Sequence, residues 1–354
     1  MKICFLGDAA SIHIRRWCEY FRDKGHEVSI ISFRVASIDG VSVHCVNDKL
    51  SVNSEGGNIS YLKKIFKIRS IVKSIKPDIV NAHYLTSYGL IGTLVGKKPL
   101  VVSTWGSDIL VTPKRNIVYK ELTKFVIRRC NLVTSDSKFM SKEIVDLGGN
   151  PNNIITVPMG INKNDFNSGN RVKDSKVFLS MRTLCDNSNI GIILRAFEKM
   201  LKIHSDVKLI LTNSGDKEDY VKQLIKELNI ENSVEFMGFV SREQVSFLLK
   251  SSQVYLSIPT SDSTSVNLLE AMASGVFPIV SDLPANREWI NNEENGYILE
   301  ELTEECLLKY MIKSLDEKGL LEKSIEINKD IISNRAIWDD NMAIVEEKYL
   351  ELIG

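Results

Sequence analysis

One segment of the chain concentrates residues that can do chemistry. It reads Ile258-Pro259-Thr260-Ser261-Asp262-Ser263-Thr264-Ser265-Val266-Asn267-Leu268-Leu269-Glu270-Ala271-Met272-Ala273-Ser274-Gly275. An apolar run ends at Pro259, and a hydroxyl-rich turn holding Asp262 follows. Thr264 or Ser265 can then cap a short helix that Gly275 stops. The first amides of such a helix, those of Thr264, Ser265 and Val266, lack intrahelical partners, and with the helix dipole they suit an anion. Glu270 falls about 1.5 turns inside the helix. With Leu268, Leu269 and Met272 facing the core, Glu270 is expected near the flank, where a carboxylate can accept two bonds from a ribose diol. The plainer reading is a solvated helix glutamate. Arg182 ends another apolar run, Val177–Met181. A guanidinium there can grip a diphosphate in a bidentate fork, or else form a structural ion pair.

The first half offers a second set. After the apolar run Ile3–Leu6 come Gly7-Asp8-Ala9-Ala10-Ser11-Ile12-His13 and then a helical stretch through Lys24. The single glycine does not make G-x-G-x-x-G, so a nicotinamide-dinucleotide site is disfavoured. Gly7 still lets backbone approach a ligand, and His13 with Arg15 and Arg16 follows at the helix start. Ala82-His83-Tyr84 and Thr104-Trp105-Gly106-Ser107-Asp108 close two further apolar runs. Polar and aromatic groups at such ends are site candidates. Their structural alternatives are a capping His13, a hydrogen-bonded half-buried His83 and a helix-capping Asp108.

These residues need elements to hold them. Short Val- and Ile-rich runs alternate with longer amphipathic stretches. In the first half the runs are Ile3–Leu6, Val28–Phe33, Val41–Val46, Ile79–Ala82, Leu100–Ser103, Leu132–Thr134 and Ile154–Val157. In the second they are Val177–Met181, Val207–Leu211, Val234–Met237, Val254–Ile258 and Pro278–Val280. Near-continuous apolar strands joined by helical crossovers imply a parallel sheet covered on both faces. The pattern occurs twice, so the expected fold is α/β with two doubly wound, Rossmann-like domains. Their boundary is expected in the polar stretch Asn162–Lys176, giving domains 1–165 and 166–335. Residues 336–354 have a helical apolar stripe of Ile337, Met342, Ile344, Val345, Tyr349 and Leu352. Ligands of open parallel sheets sit beyond the carboxyl ends of the strands, where every candidate above lies. Two such domains facing each other would make a cleft.

Composition bounds the possibilities. The chain has 354 residues, 44% hydrophobic and 25% charged. That suits two globular domains and excludes a disordered chain, a collagen and a small disulfide scaffold. No apolar run approaches the ~18 residues of a membrane span. Met1–Asp8 is too short and too soon charged for a secretory signal. The six cysteines, at 4, 18, 45, 130, 185 and 306, form no CxxC pair and are expected to be reduced thiols in a cytoplasmic protein. The zero net charge conceals an asymmetry. Residues 1–165 carry 24 Lys and Arg against 14 Asp and Glu, net +10, and residues 166–354 carry 21 against 31, net −10. A basic half can meet an anionic surface or substrate, or can simply be solvated. Tyr61–Lys76 holds six basic residues and no acid. It reads as a crossover helix with a solvated basic face, or as a peripheral contact with anionic lipid. Nucleic-acid binding is disfavoured by the acidic second half.

The motifs resemble the retaining glycosyltransferases of the GT-B fold, family 4. That family carries a Glu, seven residues, then Glu-Ala-Met-Ala-x-Gly. Here Asp262, seven residues and Glu270-Ala271-Met272-Ala273-Ser274-Gly275 stand in that pattern. Further pieces follow in family order: Lys24-Gly25-His26-Glu27-Val28, Val157-Pro158-Met159-Gly160-Ile161-Asn162, Ser214-Gly215-Asp216 and Val234-Glu235-Phe236-Met237-Gly238-Phe239-Val240. Each is short, but together they span nearly the whole chain.

The resemblance implies a nucleotide-sugar donor, UDP-sugar favoured, held by the second domain. Arg182 would bind the diphosphate, Glu270 the ribose, Gly238 and Phe239 would lie near the base, and Asp262 would meet the donor sugar. Thr264, Ser265 and Val266 would offer amides to sugar and phosphate. The acceptor, a glycan hydroxyl on a lipid-linked or surface-polysaccharide precursor, would lie by Gly7, His13, Trp105 and Asp108. His83 joins Asp262 and Arg182 as an expected catalytic group. The helix at 336–354 would return to the first domain. Attack from the face that the leaving group departs would retain configuration. No DxD-type pair marks a strand end, so neither metal nor cofactor is expected. Three positions depart from the family: its lysine aligns with Ser188 or Asn189, its first glutamate is Asp262, and its Thr-x-His-Gly histidine is Trp105. A GT-B nucleotide-sugar epimerase or hydrolase, or an inactive partner subunit of a transferase, remains as an alternative. The expected location is the cytoplasm, with peripheral contact at the inner face of the plasma membrane.

Overall fold

The structure is a computed structural model that describes residues 1–46, 63–163 and 176–354. Most of the polar stretch 162–176, and Tyr61 and Leu62 of the basic segment, lie outside the described residues. Two parallel sheets organise the chain. The first contains β1 (Lys2–Leu6), β2 (Glu27–Ser32), β3 (Ser42–Cys45), β4 (Ile79–His83), β5 (Leu100–Ser103), β6 (Leu132–Ser135) and β7 (Ile154–Thr156). Their spatial order is β3-β2-β1-β4-β5-β6-β7. The second contains β8 (Val177–Ser180), β9 (Lys208–Thr212), β10 (Val234–Gly238), β11 (Val254–Ser257), β12 (Phe277–Ser281) and β13 (Tyr297–Leu299), ordered β10-β9-β8-β11-β12-β13.

The strands are apolar on both sides because helices cover both faces. Ile3, Cys4 and Phe5 of β1 are fully buried, as are Leu209 and Leu211 of β9 and Val254 to Leu256 of β11. In both sheets the chain order reverses beside the first strand, between β1 and β4 and between β8 and β11. Each reversal opens a crevice at the carboxyl ends, the usual ligand position of a doubly wound sheet.

The chain divides into two compact units, Met1–Pro158 with Asp339–Gly354, and Met159–Trp338. The crossover therefore comes at Pro158, ahead of the polar stretch. Ile161 is tied into the second unit, its N–H donating to Ala336 O at 2.8 Å and its carbonyl accepting from Trp338 N at 2.9 Å. The helix Trp338–Ile353, which belongs to the first unit from Asp339 on, buries Tyr349 completely, its ring stacked on Phe21 at 5.2 Å. Glu346 there accepts from Tyr20 Oη at 3.2 Å and pairs with His26 Nε2 at 2.6 Å. Ile344, placed in the apolar stripe by pattern, is instead exposed.

Candidate active site

In the second unit the site is built at the β8/β11 reversal. Arg182 follows β8, and its Nη1 donates to Asp262 Oδ2, in the loop after β11, at 2.5 Å. Both side chains are half-buried. The ion pair weighed as an alternative for Arg182 is thus present, and its partner is the residue expected at the donor sugar. Arg182 Nε is buried and has no hydrogen-bond partner. A buried guanidinium N–H without an acceptor is costly, and an anion can satisfy it.

Amide side chains lock the loops around this pair. Asn187 grips Ser261 from both sides, its Nδ2 donating to Ser261 O at 2.9 Å and its Oδ1 accepting from Ser261 N at 3.0 Å. Asn189 Nδ2 donates to Ile258 O at 2.8 Å and Thr260 Oγ1 at 3.0 Å. Asn189 sits at φ +54°, a left-handed conformation that asparagine tolerates. Ser188, where the resemblance puts a lysine, is buried, and its hydroxyl donates to Thr183 O at 2.6 Å. Met181 O accepts from Asn213 Nδ2 at 2.9 Å and from Asn267 Nδ2 at 2.6 Å, tying β8 to the helix after β11.

That helix is Val266–Ala273, with Ser265 as N-cap in extended geometry and no side-chain cap bond. Thr264 Oγ1 accepts instead from Trp289 Nε1 at 3.2 Å. Glu270 differs from its expected place on the flank: it is 2% exposed. Its neighbours Leu268, Leu269, Ala271 and Met272 are buried too, because the short helix is enclosed beyond its half-buried first residues Val266 and Asn267. The carboxylate is matched by Arg242, whose Nη1 donates to Glu270 Oε1 at 2.5 Å. Gly238 ends β10 at φ +64°, and the turn it makes leaves Phe239 79% exposed, just ahead of Arg242. Sequence reasoning missed Arg242, Asn187 and Asn267. Only Arg242 had a signal, a cation at a helix start.

In the first unit the candidates meet at the β1/β4 reversal. A Cβ on Gly7 would stand 3.5 Å from His83 Cβ and 2.1 Å from Ile14 Cδ1, so glycine there lets the first helix and β4 close in. His83 is buried, edge-on to Trp17 at 4.9 Å and to Trp105 at 5.6 Å. Trp105 also meets His13 at 5.0 Å. Asn81 Nδ2 donates to Ser103 Oγ at 3.0 Å, which leaves Asn81 Oδ1 to accept from His83 Nε2 at 2.7 Å. The Nδ1 atoms of His83 and His13 are buried without a partner. Burial, and then the neighbouring His13, hold His83 down at about 3. Burial, then Arg16, hold His13 at about 4. Both rings are therefore neutral at pH 7, and with Nε2 donating to Asn81 the open Nδ1 of His83 is a hydrogen-bond acceptor. Asp108 is fully buried and accepts from Leu85 N at 2.8 Å and Trp105 N at 2.9 Å, so its carboxylate fastens the β4 and β5 ends together. Burial raises it to about 6.

The second unit thus brings an arginine, a helix N-terminus and a buried carboxylate to the reversal of a doubly wound sheet. Residues 161–331 match the family described as "Glycosyl transferases group 1", and residues 2–137 that described as "Glycosyl transferase 4-like". Together the two matches span most of the chain, one over each sheet. An uncharacterized glycosyltransferase of Methanocaldococcus jannaschii is 23% identical, covering 93% of this chain and 91% of its own. The alpha-monoglucosyldiacylglycerol synthase of Streptococcus pneumoniae is 25% identical over 81% of this chain and 69% of its own. Anabaena HepE, solved in complex with UDP, is 17% identical with a TM-score of 0.81, covering 99% of this chain and 100% of that one. The fold is GT-B. Among the described residues no group of three or more His, Cys, Asp or Glu is arranged to hold a metal, and no helix is long and apolar enough to cross a membrane.

Proposed function

We propose that this protein transfers a sugar, with retention, from a nucleotide-sugar donor to a hydroxyl of a glycan or lipid-linked acceptor. The observation that carries the reading is the convergence at the β8/β11 reversal of Arg182, with its unpartnered Nε, and the start of the helix bearing Glu270. A UDP-sugar is the favoured donor, since HepE is solved with UDP and with UDP-glucose. Arg182 and the amides of Thr264, Ser265 and Val266 take the charge that develops on the departing phosphate. Asp262 is the group by the donor sugar, and its bond to Arg182 gives way to, or shares the guanidinium with, the phosphate. Glu270 holds the ribose, with Gly238 and Phe239 near the base. With Ser188 committed to Thr183, Arg182 carries the diphosphate without the family's second cation. Gly7, His13 and Trp105 shape the acceptor side, where neutral His83 orients rather than deprotonates, and Asp108 sets the Trp105 loop. The acceptor hydroxyl attacks the anomeric carbon as the sugar–phosphate bond breaks, and its proton leaves with the phosphate.

The test is turnover of UDP-, GDP- and ADP-sugars by the wild type, Arg182→Ala and Glu270→Ala. A nucleoside diphosphate should be released in an acceptor-dependent way, and both variants should lose most of it. Wild-type turnover in both variants refutes the site. Release of free sugar or an epimer without acceptor favours the hydrolase or epimerase alternative.

A lipid-linked acceptor is supported by the name of the pneumococcal relative and by the helix Ile65–Ile75. Ile68 and Val72 of this helix are buried, while Lys63, Phe66, Lys67 and Lys73 on and beside it are exposed. An apolar ring amid cations suits an anionic bilayer surface. Pelleting with anionic vesicles at low salt, lost at high salt, is the expected outcome. No pelleting at low salt removes the membrane contact.

A further inference from the structure

Glu270 is a buried carboxylate, and burying a charge is costly unless it is paired. Arg242 supplies the partner, from the first position of the helix Arg242–Ser251. That position is electrostatically wrong for a cation, because the helix dipole is positive there. The helix start is otherwise complete. Ser241 Oγ accepts from Gln244 N at 3.3 Å, Gln244 Oε1 accepts from Ser241 N at 2.7 Å, and Glu243 supplies the first-turn acid. Local helix chemistry thus gives no reason for an arginine, and the reason lies across the fold in Glu270. The pair also joins two segments far apart in sequence, the turn Gly238–Ser241 after β10 and the helix Val266–Ala273 after β11.

We propose that Arg242 is a positioning residue of the nucleotide site: it holds the Glu270 carboxylate in one orientation and pins the Gly238–Ser241 turn beside it. The inference rests on the reading above that Glu270 binds the ribose. Arg242 acts through Glu270, and so it preorganises binding without entering the chemical step.

The experiment titrates UDP, GDP and ADP separately into the full chain by calorimetry. The proteins are wild type, Arg242→Ala, Arg242→Gln, Arg242→Lys, Glu270→Ala and the Arg242→Ala/Glu270→Ala double variant. Arg242→Ala should weaken the nucleotide that the wild type binds by roughly tenfold or more. Arg242→Gln should do the same, and serves if the alanine variant does not fold. Arg242→Lys should recover part of the loss. The double variant should bind no more weakly than Glu270→Ala, because one residue acts through the other. In turnover, KM for the donor should rise while kcat stays within about threefold. Near wild-type affinity in Arg242→Ala or Arg242→Gln, with Glu270→Ala strongly weakened, overturns the inference and leaves the functional reading standing. Additive losses in the double variant overturn it too, since Arg242 would then touch the nucleotide itself. No binding of any of the three nucleotides by the wild type brings down the functional reading, and this inference with it.

Discussion

The buried imidazole of His83 makes a pH-dependent prediction that can be worked through. Its folded-state value is about 3, lowered first by burial and then by His13, whereas an unfolded histidine titrates near 6.5. A group depressed on folding contributes stability that is complete above 6.5 and drains as pH falls toward 3. At pH 5 the unfolded chain has taken up the proton and the folded chain has not. The gap of about 1.5 pH units below 6.5, at 1.36 kcal/mol per unit, is a loss of about 2 kcal/mol. His13 adds a loss of similar size, since its value of about 4 is also below 5. Asp108 works the other way. Raised to about 6, it holds a proton in the folded state at pH 5 that an unfolded aspartate has given up. Its contribution therefore partly offsets theirs. The clean measurement is a difference between proteins. His83→Gln removes one titration and leaves His13 and Asp108 in place. Urea unfolding at pH 7.5 and pH 5.0, read by amide exchange on peptides from β1 and β4, gives the change in stability for each. The wild type should lose about 2 kcal/mol more than His83→Gln over that interval. Equal losses would refute the claim that His83 is held neutral by burial.

Two further substitutions test the frame around the site. A Cβ on Gly215 would stand 2.2 Å from the backbone carbonyl oxygen of Leu184, so the strand-end loops must shift to admit it. Gly215→Ala should cost roughly 2–3 kcal/mol in a thermal melt, and an unchanged Tm would show that the loops are loose. Tyr349→Ala opens a cavity where the final helix stacks on Phe21. About 3–5 kcal/mol should be lost in urea unfolding of the first unit, and a loss below 1 kcal/mol would mean that the helix is not held there.

The strands were the legible part. Among the described residues, twelve of the thirteen strands begin and end close to the apolar runs, because a sheet buried on both faces needs unbroken Val, Ile and Leu and shows as such without a partner in view. β13 was not foreseen. Tyr297–Leu299 is three residues long, and its pairing with β12 rather than its own propensity makes it a strand. Among site residues, Arg182 and the helix after β11 could be placed at strand ends because doubly wound sheets put ligands there. Their partners could not.

Chemical type, strand, helix and the side of the sheet on which each candidate emerges all follow from local order along the chain, since they depend on alternating apolar runs and turn residues a few positions apart. Which charge faces which depends on the third dimension. Asp262 lies 80 residues from Arg182 and Arg242 lies 28 from Glu270, and no local pattern joins either pair. The depth of Glu270, the neutrality of His83 and the capture of Asp108 by two backbone amides share one cause. Burial strips water from a polar group, and only the assembled fold decides which neighbour replaces that water.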